Sequence, residues 1–346
     1  MLRRFAKAPD WATTLRADVV NDVAGRPHIV EVNSENVAGF ENLLLYLHFY
    51  EQMAPAGSTA HALVRRNIGR LEGAYRWWLD EHYAAFRQSA SDQHPLEVDG
   101  CSIVVCYEDR DHCIFIGRAL AEQLRRMGLD AMPCRPEHLV KDHDGLFVRE
   151  PMSGRTKRVD VVLRHWLAFE MYDATDRVLG ERFKPLLEAV AEGLVLFLNP
   201  ISERLLFSKA LLAELHREHG GIFQLDDAQR AFVHKYIVPT SLPHASSEIM
   251  TKVYKPYSEY GGKGVTICED SRGLLLQDRV QGRRVPSRYL EGPAFKPAVH
   301  DLHVVHGLLV YGAQGESRLG GVMSRMGPNP VVNFAPGAQV VASLLE

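Results

Sequence analysis

The stretch Lys255-Pro-Tyr-Ser-Glu259-Tyr-Gly261-Gly262-Lys263-Gly264 constrains the fold of this chain more than any other. It follows Ile249-Met-Thr-Lys-Val-Tyr254, a strand-like run, so Lys255 projects from the rigid end of a strand toward whatever the glycines cover. Glycines accept backbone angles that other residues resist and let N–H groups approach an anion closely. Glu259, four residues past the lysine, supplies a hard oxygen of the kind that holds Mg²⁺ against phosphates. The same string is ordinary hairpin-turn chemistry, and taken locally both readings stay open. The chain has neither a Gly-x-x-x-x-Gly-Lys-Ser/Thr loop nor a Gly-x-Gly-x-x-Gly turn, which disfavours the commonest nucleotide folds.

A chain of 346 residues has room for more than one domain. Its 40 basic and 43 acidic residues nearly cancel, so net charge proposes no nucleic-acid or membrane partner, and any anion must be gripped locally. Five cysteines, an odd number without a Cys-x-x-Cys pair, fit a reduced, cytoplasmic setting. Cys101 and Cys106 flank Ile103-Val-Val105 and read as small buried hydrophobes rather than nucleophiles. Sixteen histidines raise the question of zinc, but no His-Glu-x-x-His occurs, and His300, His303 and His306 lie three apart in an apparent strand, where alternation scatters them. The start, Met1-Leu-Arg-Arg-Phe-Ala-Lys7, is followed by Pro9 and Asp10 rather than an apolar core, and no apolar run is long enough to span a bilayer. A soluble protein is expected.

Three consecutive stretches emerge. Residues 1–96 hold two short strands, Arg16–Val20 and His28–Asn33, joined by a hairpin, then a helical pattern from Asn42 to about Arg87 broken near Pro55-Ala-Gly57. Glu31 and Asn33 alternate with Val30 and Val32 and so share a strand face, either a chemical site or a solvent-facing edge. Ala90–Gly100 reads as a linker. Residues 97–200 begin with a strand-helix-strand unit and place Arg164 at the carboxyl end of Val159-Asp-Val-Val-Leu163, where open α/β sheets bind ligands. Arg164 is either a carboxylate clamp or an ordinary surface arginine. Residues 201–346 open with a helix from Glu203 to His219 carrying Lys209, and turn to strands from Ile237 onward.

In order along the chain, these parts resemble the ATP-grasp ligases, specifically the circularly permuted branch that includes eukaryotic-type glutathione synthetase. Arg16-Ala-Asp18 followed by Ile29-Val-Glu31-Val-Asn33 is similar to that enzyme's Arg-Ser-Asp and Glu-x-Asn segments. Val161-Val-Leu-Arg164 resembles its strand ending in a substrate-contacting arginine, and Phe207-Ser-Lys209-Ala-Leu-Leu212 its helix with the first ATP lysine. Lys255 with Glu259 and Gly261-Gly262 resembles its second lysine, metal-binding glutamate and lid, and Leu274-Leu-Leu-Gln277-Asp-Arg-Val280 its adenine-binding hinge. Val332-Asn333 is similar to a segment near its end. The chain is markedly shorter, has Ala38 where the family has a serine, and shows no Leu-Arg-Thr-Lys counterpart in Val340–Glu346, so glutathione is not the expected product.

The resemblance implies an α/β (α+β) fold: a circularly permuted ATP-grasp architecture with a Rossmann-like strand-helix-strand substrate domain. It implies an ADP-forming carboxylate–amine ligase working through an acyl phosphate, with ATP and two Mg²⁺ ions. Glu31, Asn33 and Glu259 would hold the metal. Lys209, Lys255, Tyr260, Gly261, Gly262, Lys263, Gly264, Gln277, Asp278, Val280 and Asn333 would hold the nucleotide. Arg16, Arg164 and Arg318 are the arginines expected to serve the acid and the developing anion. Partners would be a small carboxylic acid and an amine, with a homodimer implied by the family. Loading of an amino acid onto a carrier-protein thiol, and a regulatory module without catalysis, are the alternatives.

Overall fold

The computed structural model describes residues 14–34, 39–88, 94–95, 97–107, 111–149, 154, 156–165, 182–201, 203, 208–217, 223–241, 252–255, 266–267, 275–278, 284–291, 296–328 and 339–346. In chain order, the hairpin β1 (Thr14–Asn21) and β2 (Pro27–Asn33) precedes helices α1 (Phe40–Met53) and α2 (Thr59–Arg87). Then come β3 (Ser102–Tyr107), α3 (Asp111–Arg126), β4 (Asp130–Cys134), β5 (Leu139–Lys141), β6 (Leu146–Arg149), β7 (Thr156–Val159) and β8 (Val161–His165). Next are α4 (Lys184–Ala191), β9 (Leu196–Leu198), α5 (Ala210–Leu215), α6 (Asp227–Tyr236), β10 (Thr240–Ser241), β11 (Lys252–Lys255), β12 (Thr266–Ile267) and β13 (Leu275–Asp278). The chain closes with β14 (Arg284–Glu291), β15 (Lys296–Ala313), β16 (Glu316–Gly327) and β17 (Gln339–Ser343).

The chain divides into two compact units, each assembled from segments distant in sequence. One comprises Met1–Leu15, Ser34–Arg204 and Val310–Gly320; the other comprises Arg16–Asn33, Leu205–Leu309 and Gly321–Glu346.

In the first unit, Ser58 caps α2 by accepting from the His61 N–H, and Val64, Ile68, Leu71, Tyr75, Trp78 and Leu79 form its buried face at helical spacing. Tyr75 stacks on Phe40 at 4.0 Å and meets Trp78 and Tyr311 at 5.1 and 5.5 Å. The expected strand-helix-strand unit is β3-α3-β4, and parallel pairing of β3 with β4, β3 with β8 and β8 with β9 gives the sheet order β4-β3-β8-β9. Cys101 and Cys106 are fully buried, as expected of small hydrophobes. The stretch read as a linker is packed at His94, whose Nδ1 lies 2.9 Å from the buried Asp160 carboxylate. Asp160 also accepts from the Ser102 N–H at 2.8 Å, tying the amino end of the parallel sheet.

In the second unit, the antiparallel sheet β10-β13-β11-β12 holds Lys255 and Gln277. A small apolar cluster of Leu212, Val233 and Ile237, joined by Ile29, Val32, Leu215 and Leu225, packs α5 and α6 against β2. The helix expected over Glu203–His219 is shorter: α5 spans Ala210–Leu215 with Lys209 at its N-cap and His216 at its C-cap, and residues 204–207 and 218–222 lie outside the described set. Strands β17, β16, β15, β1 and β2 are neighbours in that order in a larger sheet, with β14 also paired to β15. Among the described residues, no helix is long and apolar enough to cross a membrane.

Candidate active site

The β1–β2 hairpin sets the geometry. Its turn is fixed by Asp22, whose carboxylate accepts from the Ala24 and Arg26 N–H groups at 2.9 Å, while Gly25 takes the left-handed φ of 81°. Pairing runs Arg16 with Asn33, Ala17 with Val32 and Asp18 with Glu31, then jumps to Val19 with Ile29. Val30 is therefore an extra residue, a β-bulge. The bulge resets the alternation of β2, so that Ile29 and Val32, three residues apart, both join the apolar cluster. Arg16, Asp18, Glu31 and Asn33, as register partners, share a face.

On that face Asp18 is the hub of a buried ion network. Its Oδ1 lies 3.0 Å from Arg16 Nε, and its Oδ2 lies 2.6 Å from Arg325 Nη2 and 3.3 Å from Asn33 Nδ2. Burial alone would raise the Asp18 carboxyl; the two guanidiniums reverse this and hold it below the ordinary carboxylate value. The amide nitrogen of Asn33 being spent on Asp18, its Oδ1 is the atom left to act as a hard oxygen ligand.

The two lysines singled out in the sequence meet consecutive residues of β2. Lys209 is buried rather than solvated as a helix-surface lysine would be, and its Nζ lies 3.2 Å from Glu31 Oε1. Glu31 keeps 23% of its side chain exposed, so the carboxylate can take a further partner. Lys255 donates from Nζ to the carbonyl of Val30 at 2.8 Å. Burial pushes its ammonium below the ordinary lysine value; Lys209 adds to that shift, and Glu31 and Asp18 oppose it. Gln277, almost wholly buried, donates to the same Val30 carbonyl at 2.9 Å. Its side chain thus has a role in this unit that the expectation of an adenine-binding hinge backbone did not include. Asp278 follows it in β13.

Arg164 and Arg318 belong to the other unit. Arg164 is fully buried, and its guanidinium donates to the carbonyls of Asn199 and Pro200. Asn199 returns a bond to the Arg164 carbonyl at 3.2 Å, in a left-handed conformation with φ 56°. Arg164 is therefore no surface arginine, and it holds the turn after β9. Arg318 lies 4.3 Å over the Trp77 ring, exposed to solvent. Glu259, Tyr260, Gly261, Gly262, Lys263, Gly264, Val280 and Asn333 lie outside the described residues.

Arg325, Val30 and Thr240 join the expected residues at this site. Arg325 carried a signal, as a lone charge in the otherwise uncharged stretch Gly320-Gly-Val-Met-Ser-Arg325-Met326 of β16. Val30 carried none, because a bulge leaves Ile-Val-Glu-Val-Asn looking like a regular strand.

Among solved structures, the chain is similar to a glutathione synthetase-like effector from Globodera pallida determined in its apo form. The identity is 12% and the TM-score 0.60, over 100% of this chain and 79% of that one. No protein-family model and no curated protein matches the chain. At this identity the likeness shows the fold alone, which is glutathione synthetase-like.

Proposed function

We propose that the chain is an ATP-dependent, ADP-forming ligase of circularly permuted ATP-grasp type, joining a small carboxylic acid, an amino acid or short peptide acid, to an amine. The reading is supported by the gathering of both lysines onto residues 30 and 31 of β2, Lys255 on the Val30 carbonyl and Lys209 on the Glu31 carboxylate. Together with Arg16 and Arg325 they place four cationic side chains around two anionic ones, Asp18 and Glu31, among the described residues. Such a gathering of cationic side chains suits a polyanion such as a triphosphate.

Glu31 and Asn33 offer two hard oxygens from one strand face, one of them partly exposed, and this donor set fits Mg²⁺. Glu259 is the third ligand expected from the sequence. The metal, when bound, would withdraw charge from the β- and γ-phosphates. The protein's own part is positional and electrostatic: Lys209 and Lys255 neutralise phosphate oxygens, and Arg16 with Arg325 holds the acid beside the γ-phosphate. A carboxylate oxygen bonds to the γ-phosphorus as the bond to the β–γ bridging oxygen breaks, releasing ADP. The amine then attacks the acyl carbon, inorganic phosphate leaves, and the amine proton passes to solvent or to a phosphate oxygen.

The test is ADP and phosphate release from ATP and MgCl₂ with amino acids and amines screened in pairs, followed by the product mass. Acid-dependent ADP release is expected, abolished in Lys255→Ala and Glu31→Ala with unchanged circular dichroism. Full turnover in either variant, or no ATP binding by calorimetry, would remove the proposal.

A further inference from the structure

The bulge at Val30 turns one carbonyl out of the β1–β2 ladder, and its two acceptor sites are both filled by side chains, Lys255 Nζ at 2.8 Å and Gln277 Nε2 at 2.9 Å. Gln277 spends its second amide hydrogen on Thr240 Oγ1 at 3.1 Å. Thr240 in turn donates to the Val238 carbonyl at 2.9 Å, and the Val238 N–H returns to the Ile29 carbonyl at 3.0 Å. The path closes on the residue before the bulge. Register explains why these groups converge: Gln277 stands opposite Thr240 on one side and Val253 on the other, so the three share a sheet face, and Lys255, two residues past Val253, shares it too. Thr240 and Gln277 are 5% and 2% exposed, so water does not compete for these bonds.

We propose that Gln277 and Thr240 are positioning residues for the Lys255 ammonium, acting through the Val30 carbonyl. The proposal rests on the ATP-binding reading of the site. The ammonium has three hydrogens; one bond to a carbonyl held from its other side fixes the direction in which the remaining two point. Without Gln277 the carbonyl loses its second donor, Thr240 loses its amide partner, and Lys255 is held by a strand segment with one fewer tie. The relay acts through the side chains that orient the cation, so its loss weakens phosphate binding and leaves the acid site alone.

Four variants test this, each measured by calorimetry for a non-hydrolysable ATP analogue with Mg²⁺ and by the KM for ATP against the KM for the acid. Thr240→Val removes the hydroxyl at constant shape, while Thr240→Ser keeps it. Gln277→Leu removes the amide, and the double variant Thr240→Val with Gln277→Leu tests whether the two act as one unit. Thr240→Val and Gln277→Leu are each expected to bind the analogue about five- to tenfold more weakly, on the scale of one buried hydrogen bond. Thr240→Ser should return to the wild-type value, the double variant should be no worse than Gln277→Leu, and the KM for the acid should not move. Equal affinity for Thr240→Val and Thr240→Ser, or equal rises in both KM values, overturns the positioning role. Failure of the wild-type protein to bind the analogue overturns the ATP reading instead.

Discussion

Arg325 Nη2 lies 2.6 Å from Asp18 Oδ2, yet the strands that carry them, β16 and β1, are not neighbours. Strand β15 runs between them, and the arginine reaches across it. The residue facing Arg16 on that intervening strand is Gly307, which has no side chain to fill the space. Three strands thus meet at one carboxylate, and the hairpin carrying Glu31 and Asn33 is anchored through it.

Asp18→Asn should be severely destabilising. It leaves two guanidiniums, both in a buried setting, facing a neutral amide, and breaking such a network by removing one member costs about 3–5 kcal/mol. The pH signature has a definite sign. The folded carboxyl sits below its ordinary 3.8, so its stabilisation is complete above that value and is lost as pH falls through the lowered one. Urea midpoints at pH 7 and across the acid range measure both, and an Asn variant as stable as wild type at pH 7 would show that the network contributes nothing.

Gly307→Ala probes the gap itself. A Cβ there would sit 2.8 Å from Arg16 Cδ and 3.1 Å from the Met323 carbonyl oxygen. Arg16 is pinned by Asp18 and cannot swing away without giving up that contact, and the carbonyl belongs to the backbone of β16. Overpacking of this kind costs about 1–3 kcal/mol. The loss should be smaller in a background where Arg16 is already Ala, because the pinned arm is then gone, and identical losses in both backgrounds would count against the account.

The order of Glu31, Asn33, Lys209 and Lys255 was legible because each stands in a short pattern of its own, and the helices and strands of the first unit followed from hydrophobic spacing. What was not legible depends on long-range packing. Lys209 carries no local sign of its burial, because its partner Glu31 is far away in sequence. Arg164 looked like a residue at the mouth of a sheet, whereas the left-handed turn at Asn199 brings two carbonyls onto its guanidinium. His94 lay in a stretch whose Ser, Asp and Pro content signals a loop, and only Asp160, just before β8 and distant in sequence, makes it a buried anchor.

Arg164→Met should therefore act on stability before it acts on substrate. The change leaves the Asn199 and Pro200 carbonyls without a charged donor, and Asn199 holds a strained φ of 56° only while its side chain bonds the Arg164 carbonyl and accepts from Thr14 Oγ1 at 3.2 Å. Loss of a buried charged donor of this kind is expected to cost about 2–4 kcal/mol. A lowered urea midpoint with an unchanged KM for the acid is the expected pair of results; an unchanged midpoint with a raised acid KM would return Arg164 to the substrate site.

Glu41 gives the first unit a titration of the opposite sign. It lies buried in the first turn of α1, and burial pushes its carboxyl up to about 7, although its own N–H and that of Gly39 bond the carboxylate and favour ionisation. The tyrosines Tyr75 and Tyr311 lie close enough that its charge raises both of theirs, and neither can compensate it. Since the folded value exceeds the ordinary 4.5, the stabilisation is complete below 4.5 and is lost as pH rises through about 7. At full ionisation the loss is on the order of 3 kcal/mol. Glu41→Gln keeps the shape and removes the charge, so its thermal midpoint should match wild type near pH 5 and exceed it by several degrees at pH 8.5. The Asp18 effect lies below pH 4, so the two windows do not overlap; a Gln variant that still lost stability between pH 5 and 8.5 as wild type does would assign that loss to another group.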